Sequence, residues 1–217
     1  MSQVDISEKI LSANDQIALQ VQKMLDERGL FGLNVMGSPG AGKTSVILAT
    51  AKALQGRLKA AVIEGDIASR VDADKVAAAG IPVHQINTGG MCHLDAPMVR
   101  DALDKLETEG ADLLIIENVG NLVCPNEFAL GARGRALIAS VPEGDDKPLK
   151  YPAMFQDADA VVLNKMDLLP YIDFDLPAYR RLLLALNPDV AFFPLSCKTG
   201  EGVAEWADWL AQKAKGE

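Results

Sequence analysis

The sequence predicts an α/β fold: a mostly parallel sheet of about seven strands with helices on both faces, preceded by an N-terminal helix. Three observations predict it. Short apolar runs alternate with helix-length patterns along the chain. Several of those runs, LLII and AVVL among them, are continuously apolar, as parallel strands buried on both faces are. No repeat or low-complexity tract breaks the alternation.

The opening segment from Ser7 to Arg28 puts Ile10, Ile17, Val21, Met24 and Leu25 on one helical face, and Gly29 supplies a C-terminal stop. That face is expected to pack on the rest of the chain, which divides into a helical extension, residues 1–30, and a main domain, residues 31–217. Strands are expected at Leu33–Met36, Ala60–Glu64, Pro82–Ile86, Asp112–Glu117, Arg135–Val141, Ala160–Asn164 and Ala191–Leu195. Helix-length patterns between and after them fall at Lys43–Leu54, Ala96–Glu107, Leu176–Leu186 and Val203–Lys213. Right-handed crossovers would join these into one sheet covered on both sides, with ligands beyond the carboxyl ends of the strands. Pro142–Lys150, PEGDDKPLK, reads as a polar surface loop.

Composition bounds the function. With 217 residues, 49% apolar and 24% charged, the chain can bury a core, which excludes disorder. A net charge of -9, from 21 basic and 30 acidic residues, repels phosphate backbones at long range and argues against a nucleic-acid partner. A small phosphate ligand held by local N–H groups stays compatible with that charge. MSQVDISEKI has no apolar leader core, and no stretch approaches the roughly 20 apolar residues of a membrane span. A cytoplasmic protein with no membrane partner is expected. The three cysteines, 92, 124 and 197, are too few and too far apart for a disulfide framework, so reduced thiols are the expectation.

Directly after the first strand, Gly37, Ser38, Pro39, Gly40, Ala41, Gly42, Lys43 and Thr44 match G-x-x-x-x-G-K-[ST] in the strand–loop–helix context the motif needs. Glycines let successive N–H groups turn inward around a β-phosphate, and the next helix adds its positive end. Lys43 would neutralise β/γ-phosphate charge, Thr44 would ligate Mg²⁺, and Ser45 joins the nucleotide-binding set. This pattern makes the predicted sheet that of a P-loop NTPase.

The base is read from Asn164-Lys165-Met166-Asp167, an N-K-x-D pattern that closes an apolar strand. The Asp167 carboxylate accepts from both N1–H and the 2-amine of guanine, and adenine lacks that amine. Asn164 would brace the loop, and the Lys165 stem would lie along the ring. Ser196, Cys197 and Lys198, in SCKTG after the last strand, resemble the loop whose backbone contacts guanine O6. GTP and GDP are the expected ligands.

Phosphoryl transfer needs Mg²⁺ and an oriented water, which points to carboxylates at strand ends near the phosphate loop. Asp66 and Glu117 are so placed. One would position or activate water and the other link to Mg²⁺, with Gly120 swinging toward the γ-phosphate. Lys43, Asp66, Glu117 and Gly120 form the catalytic set, while Asp72 and Asp74, further along the loop after the second strand, are weaker candidates.

Cys92 and His93, in the loop after the third strand, and Cys124, in the loop after the fourth, add a second chemistry. Thiolates and imidazole suit Zn²⁺ or Ni²⁺, and square-planar N/S coordination favours nickel. Three ligands per chain fall one short of four, so water or a second subunit completes the set. His84, in an apolar strand, reads as a satisfied structural histidine, and Cys197 takes no metal role.

GSPGAGKT, the EGD loop, GGMCH, ENVGNLVCP and NKMD, in this order, resemble the hydrogenase nickel-incorporation GTPase family, HypB, from about Phe31 to the C-terminus. The resemblance implies a P-loop GTPase of the dimerising class that includes signal-recognition-particle relatives. It further implies nucleotide- and metal-dependent homodimerisation, with Cys92, His93 and Cys124 at a shared metal site. The activity implied is nickel delivery to the precursor of the [NiFe] hydrogenase large subunit, with a small zinc-containing chaperone, HypA. The Lys150-Tyr151-Pro152 segment matches a family segment near the nucleotide or the dimer contact. Many members begin with CxxCGC or a histidine-rich stretch, and MSQVDISEKI has neither. Two rival readings remain: a urease-type nickel-insertion GTPase, whose metal segment typically reads Cys-Pro-His, and a non-enzymatic module in which nucleotide serves only structure.

Overall fold

The computed structural model describes residues 3–216. Seven strands, β1 (Phe31–Gly37), β2 (Ala60–Asp66), β3 (Val83–Asn87), β4 (Leu113–Glu117), β5 (Gly134–Ser140), β6 (Ala160–Asn164) and β7 (Ala191–Pro194), form one sheet in the order β3-β2-β4-β1-β5-β6-β7. Every pairing is parallel. The helices are α1 (Gln3–Glu27), α2 (Lys43–Ala53), α3 (Val71–Ala78), α4 (Ala96–Leu103), α5 (Lys147–Lys150), α6 (Pro152–Gln156), α7 (Leu176–Leu186) and α8 (Val203–Ala214). No helix among the described residues is long and apolar enough to cross a membrane.

Side chains alternate across the strands, and each face has its own helices. Leu33, Val35, Val62, Ile115 and Val162 face α2, α3 and α8. On the opposite face, Ala61, Ile63, Leu114 and Ile116 pack against α1 and α4, and Leu137, Val161 and Leu163 against α6 and α7. The caps explain two helix starts. Asp95 accepts from Met98 N at 2.9 Å and Asp175 from Ala178 N at 2.8 Å, each with a proline in the first turn. Pro194 ends β7 at the sheet edge, where its missing N–H removes no ladder bond.

The sequence-based elements all appear, with ends displaced by a few residues. Four expectations need correction. Asp72 and Asp74 sit in α3 and not in a loop, because Ala73 and Val76 bury one side of an eight-residue helix too short to show a period in sequence. The Pro142–Lys150 segment contains α5, and its Pro148 is buried, so it is not a wholly polar loop. The fourth helix stops at Leu103, short of Glu107. Ile10 is exposed, whereas Val21 and Leu25 of α1 are fully buried, so the core contact begins nearer the middle of that helix.

Leu25 marks how α1 is fixed. A Cβ on Gly32 would lie 2.8 Å from the Leu25 side chain, so the first residues of β1 are cut back to admit it. Leu25→Ala is expected to lower the unfolding free energy by about 2–5 kcal/mol, read by chemical denaturation. A loss below about 1 kcal/mol would show that α1 is not part of the core.

Candidate functional site

Because every strand runs the same way, the loops leaving β1, β2, β3, β4, β6 and β7 meet at one edge of the sheet. The phosphate loop is built on two left-handed glycines, Gly40 (φ 78°) and Gly42 (φ 97°). Gly42 has a second reason to be glycine, since a Cβ there would lie 2.5 Å from Asn164 Nδ2. It stands at the N-cap of α2 without a side-chain cap, which leaves the helix's first N–H groups facing the pocket. Lys43 Nζ curls back to Gly37 O and Ser38 O, both at 3.4 Å. Burial lowers its pKa, while Glu117, Asp72, Glu143 and Glu64 oppose that.

Glu117, the last residue of β4, accepts from Thr44 Oγ1 at 2.9 Å. Glu64 faces it on β2 in direct register. Each has a buried oxygen, Glu64 Oε2 and Glu117 Oε2, with no hydrogen-bond partner among the described residues. Burial, then mutual repulsion and the nearby Asp66 and Asp72, push Glu64 up to about 8. Burial pushes Glu117 up to about 7, against Lys43 and the Thr44 hydroxyl, which pull it down. Orphaned carboxylate oxygens beside a hydroxyl are the donor set of a hard divalent cation, so these residues fit Mg²⁺. One oxygen of Asp66, Oδ1, caps the turn after β2, accepting from Ala68 N at 2.9 Å and Ser69 N at 2.6 Å. The small pocket of 230 Å³ above Lys43 and Thr44 is lined by Asp72 of α3, and Asp66 is not among its lining residues.

The base-side loops interlock. Asn164 Nδ2 donates to Ala41 O at 3.2 Å, and its Oδ1 accepts from Lys165 N at 2.7 Å and Cys197 N at 3.3 Å. Lys165 is the one non-glycine with positive φ (62°) among the described residues, a conformation that costs energy and brings Nζ to Gly40 O at 2.6 Å. Ser196 Oγ donates to Asp167 Oδ1 at 2.6 Å and accepts from Lys198 N and Thr199 N, both at 3.2 Å. Lys198 Nζ stands 3.8 Å from the other Asp167 oxygen. Burial pushes the Cys197 thiol up to about 11, so it stays protonated. These loops, with Ser45, enclose a cleft of 1110 Å³, ample for a nucleoside.

Beside the phosphate loop, the Cys92 and Cys124 sulfurs lie 2.8 Å apart and Cys92 Sγ is 3.7 Å from His93 Nδ1. The three ligand atoms all fall within 4.8 Å of one another. Phe128 stacks on the His93 ring at 3.9 Å between centroids. Burial lowers the His93 pKa, favouring the neutral, ligating imidazole, and the Cys92 thiol holds that of Cys124 above its usual value. Gly120 is pressed on Pro39: a Cβ would lie 2.9 Å from Pro39 N. His84 sits half-buried in β3, apart from this cluster.

The structure thus brings most of the residues proposed from sequence to one sheet edge, in two adjoining clusters, while Asp66 and Asp74 do not line the phosphate pocket. Glu64, Asn118 and Phe128 are additions, and Asp72, a weaker candidate from sequence, lines the phosphate pocket. The EGD motif contained Glu64, but only the β2–β4 register turns it toward Glu117. Asp72 is brought to the pocket by α3, which sequence alone did not reveal.

Fold and site define a P-loop nucleotide-binding protein with a Cys–His–Cys cluster beside its phosphate loop. A family model described as CobW/HypB/UreG, nucleotide-binding domain, matches residues 32–194. The hydrogenase maturation factor HypB of Azotobacter vinelandii is 47% identical over 96% of this chain and 69% of its own length. The hydrogenase/urease maturation factor HypB of Helicobacter pylori is 43% identical over 98% of this chain and 88% of its own. A crystal structure of the Helicobacter pylori HypB in complex with nickel superposes with a TM-score of 0.89 at 40% identity, covering 94% of this chain and 95% of that one. The chain belongs to the CobW/HypB/UreG family, within its HypB branch. Signal-recognition-particle 54 kDa protein from Aeropyrum pernix, at 14% identity and a TM-score of 0.60, shares the fold alone.

The two raised carboxyls give a pH signature. The folded chain keeps protons that the unfolded chain has released between pH 4.5 and about 8, so their contribution to stability is full below pH 4.5 and is lost as pH rises toward 8. In nucleotide- and metal-free protein, Glu64→Gln is expected to flatten that fall by up to about 1.4 kcal/mol per pH unit and to be more stable than wild type at pH 8. Denaturation curves across this range that are parallel for both proteins would contradict it.

Proposed function

We propose that the protein is a GTP-hydrolysing metallochaperone that delivers nickel during maturation of [NiFe] hydrogenase, with residues 31–217 as its G domain and 1–30 as a helical extension. One observation carries this reading: a single stretch, Glu117 to Cys124, supplies a carboxylate to the phosphate site at one end and a thiol to the metal cluster at the other. The names of the relatives, and the nickel in the Helicobacter pylori structure, support the cargo.

In the base cleft, Asp167 accepts from guanine N1–H and the 2-amine while Ser196 fixes its orientation. Lys165 lies along the ring, and Asn164 ties this loop to the phosphate loop. Gly37 to Ser45 wrap the phosphates, with Lys43 at the β- and γ-oxygens. Mg²⁺, held by Thr44 with Glu117 or Asp66, would supply charge neutralisation on the phosphates. Glu117, Asp66 and the adjacent Asp72 are the groups that orient a water for attack on the γ-phosphorus. The bond to the bridging β–γ oxygen breaks, and GDP and phosphate leave. Gly120, against Pro39, reports the γ-phosphate.

Nickel, or zinc at the same site, takes Cys92, His93 and Cys124. A second subunit completes the coordination in a nucleotide- and metal-dependent homodimer. Exposed Ile67, Val71, Met91 and Val123 at this edge support such a contact. HypA and the hydrogenase large-subunit precursor are the further partners of this reading, which is set in the cytoplasm. Urease maturation is a second reading, favoured by the dual name of the Helicobacter pylori relative.

Nickel titration by equilibrium dialysis tests the metal assignment. Cys124→Ala is expected to weaken nickel at least tenfold while guanine-nucleotide affinity stays within twofold; unchanged nickel affinity would refute it. Asp167→Asn is expected to exchange the preference for GTP for one for xanthosine triphosphate, since the amide places a donor opposite guanine's 2-amine but opposite a carbonyl in xanthine. Competition binding reads the outcome, and a retained preference for GTP would remove Asp167 from the base site.

A further inference from the structure

Asn118 is 0% exposed and makes three contacts through its side chain. Its Oδ1 accepts from Val119 N and from Leu94 N, both at 3.0 Å, and its Nδ2 donates to Asn34 Oδ1 at 3.4 Å. Its own N–H is fixed to Val35 O of β1 at 2.9 Å. Leu94 is the residue after His93. Among the described residues, this carboxamide makes the only hydrogen bond between Glu117–Gly120 and the loop carrying Cys92 and His93.

The Cys-His pair is strung between two anchors. On one side, Thr88 N donates to Asp66 O at 2.9 Å and Thr88 Oγ1 to Met91 O at 2.8 Å, which fixes the loop up to Met91. On the other, Leu94 N is held by Asn118, and the Leu94 side chain is pressed so close to β2 that a Cβ on Gly65 would meet it at 2.8 Å. Only Cys92 and His93 lie between the anchors. Cys124 has its own tether, because Asn121 N donates to Gly37 O at 3.1 Å and Asn121 Nδ2 lies 3.6 Å from the Cys124 sulfur.

We infer that Asn118 is the positioning residue that transmits the nucleotide state to Cys92 and His93; the inference rests on the proposed reading that the chain binds guanine nucleotide and nickel. One oxygen serves both Val119 N and Leu94 N. Movement of Val119 and Gly120 toward a γ-phosphate therefore either withdraws Val119 N from that oxygen or carries the carboxamide, and Leu94 N with it. Leu94 is 0% exposed, so its N–H has no water to turn to when the carboxamide moves. Movement at Gly120 reaches the imidazole and the first thiol through this bond, while Cys124 moves through its own loop.

The test compares nickel dissociation constants of reduced protein in GDP and in a non-hydrolysable GTP analogue, by competition with a chelator under anaerobic conditions. Wild type is expected to show at least a fivefold ratio between the two states, the lower end of ordinary coupling. Asn118→Ala should lower that ratio at least twofold, leaving only the part carried by the Cys124 loop. Asn34→Ala, which removes only the third contact, should keep the wild-type ratio. Their ratio is the readout because a merely structural residue would shift both affinities together. A wild-type ratio retained in Asn118→Ala overturns the inference. Equal affinities in wild type itself overturn the nucleotide–metal reading beneath it. Should Asn118→Ala not fold, hydrogen exchange of the Leu94 amide in wild type decides: at least a tenfold difference between states, with Val162 of β6 unchanged, supports it, and equal protection overturns it.

Discussion

The place of β4 between β2 and β1 is the constraint on which the site depends. A chain leaving that strand must pass between the phosphate loop after β1 and the loops after β2 and β3. Its first residues are consequently held from both sides: Glu117 by Thr44, Asn118 by Val35 and Leu94, and Asn121 by Gly37. Nothing in this stretch is slack enough to move alone. The phosphate pocket and the Cys–His–Cys cluster are neighbours because of strand order, and they are linked because one short segment belongs to both.

Electrostatics keeps this edge poised for ligands. A buried lysine, an uncapped helix N-terminus and two facing buried carboxyls with orphaned oxygens are each costly in isolation. The fold tolerates them because the sheet beneath carries a dense apolar core: Leu33, Val35, Ile115, Ala136 and Ile138 are buried at 2% exposure or less. On the proposed reading, anion and cation together would satisfy what the protein leaves unmet, phosphate oxygens meeting the N–H groups and Lys43, and a divalent ion meeting the carboxylates. The left-handed Lys165 is a smaller instance, a strained backbone kept because its ammonium joins the base loop to the phosphate loop.

Much of this was legible in the sequence. Short apolar runs located all seven strands, several of them continuous where a strand is buried on both faces and cannot alternate, and Gly37–Thr44 and Asn164–Asp167 are short-range patterns whose spacing carries their geometry. What stayed hidden depends on long-range register. Glu64 is separated from Glu117 by the whole of α3, β3 and α4, and only the β2–β4 pairing sets the two carboxyls opposite each other. Asn118 looks like any residue after a strand until the fold delivers the Leu94 amide to it, and Phe128 has no motif to mark its stacking on His93. α3 escaped because eight residues with two buried positions give too weak a period.

The central claim is that nucleotide state and metal coordination are properties of one connected segment. Nickel K-edge X-ray absorption on one preparation, loaded first with GDP and then with a non-hydrolysable GTP analogue, tests this most directly. The account predicts a change in the number of sulfur ligands or in the nickel–sulfur distances between the two states. Superimposable spectra, with both nucleotides demonstrably bound, would contradict it.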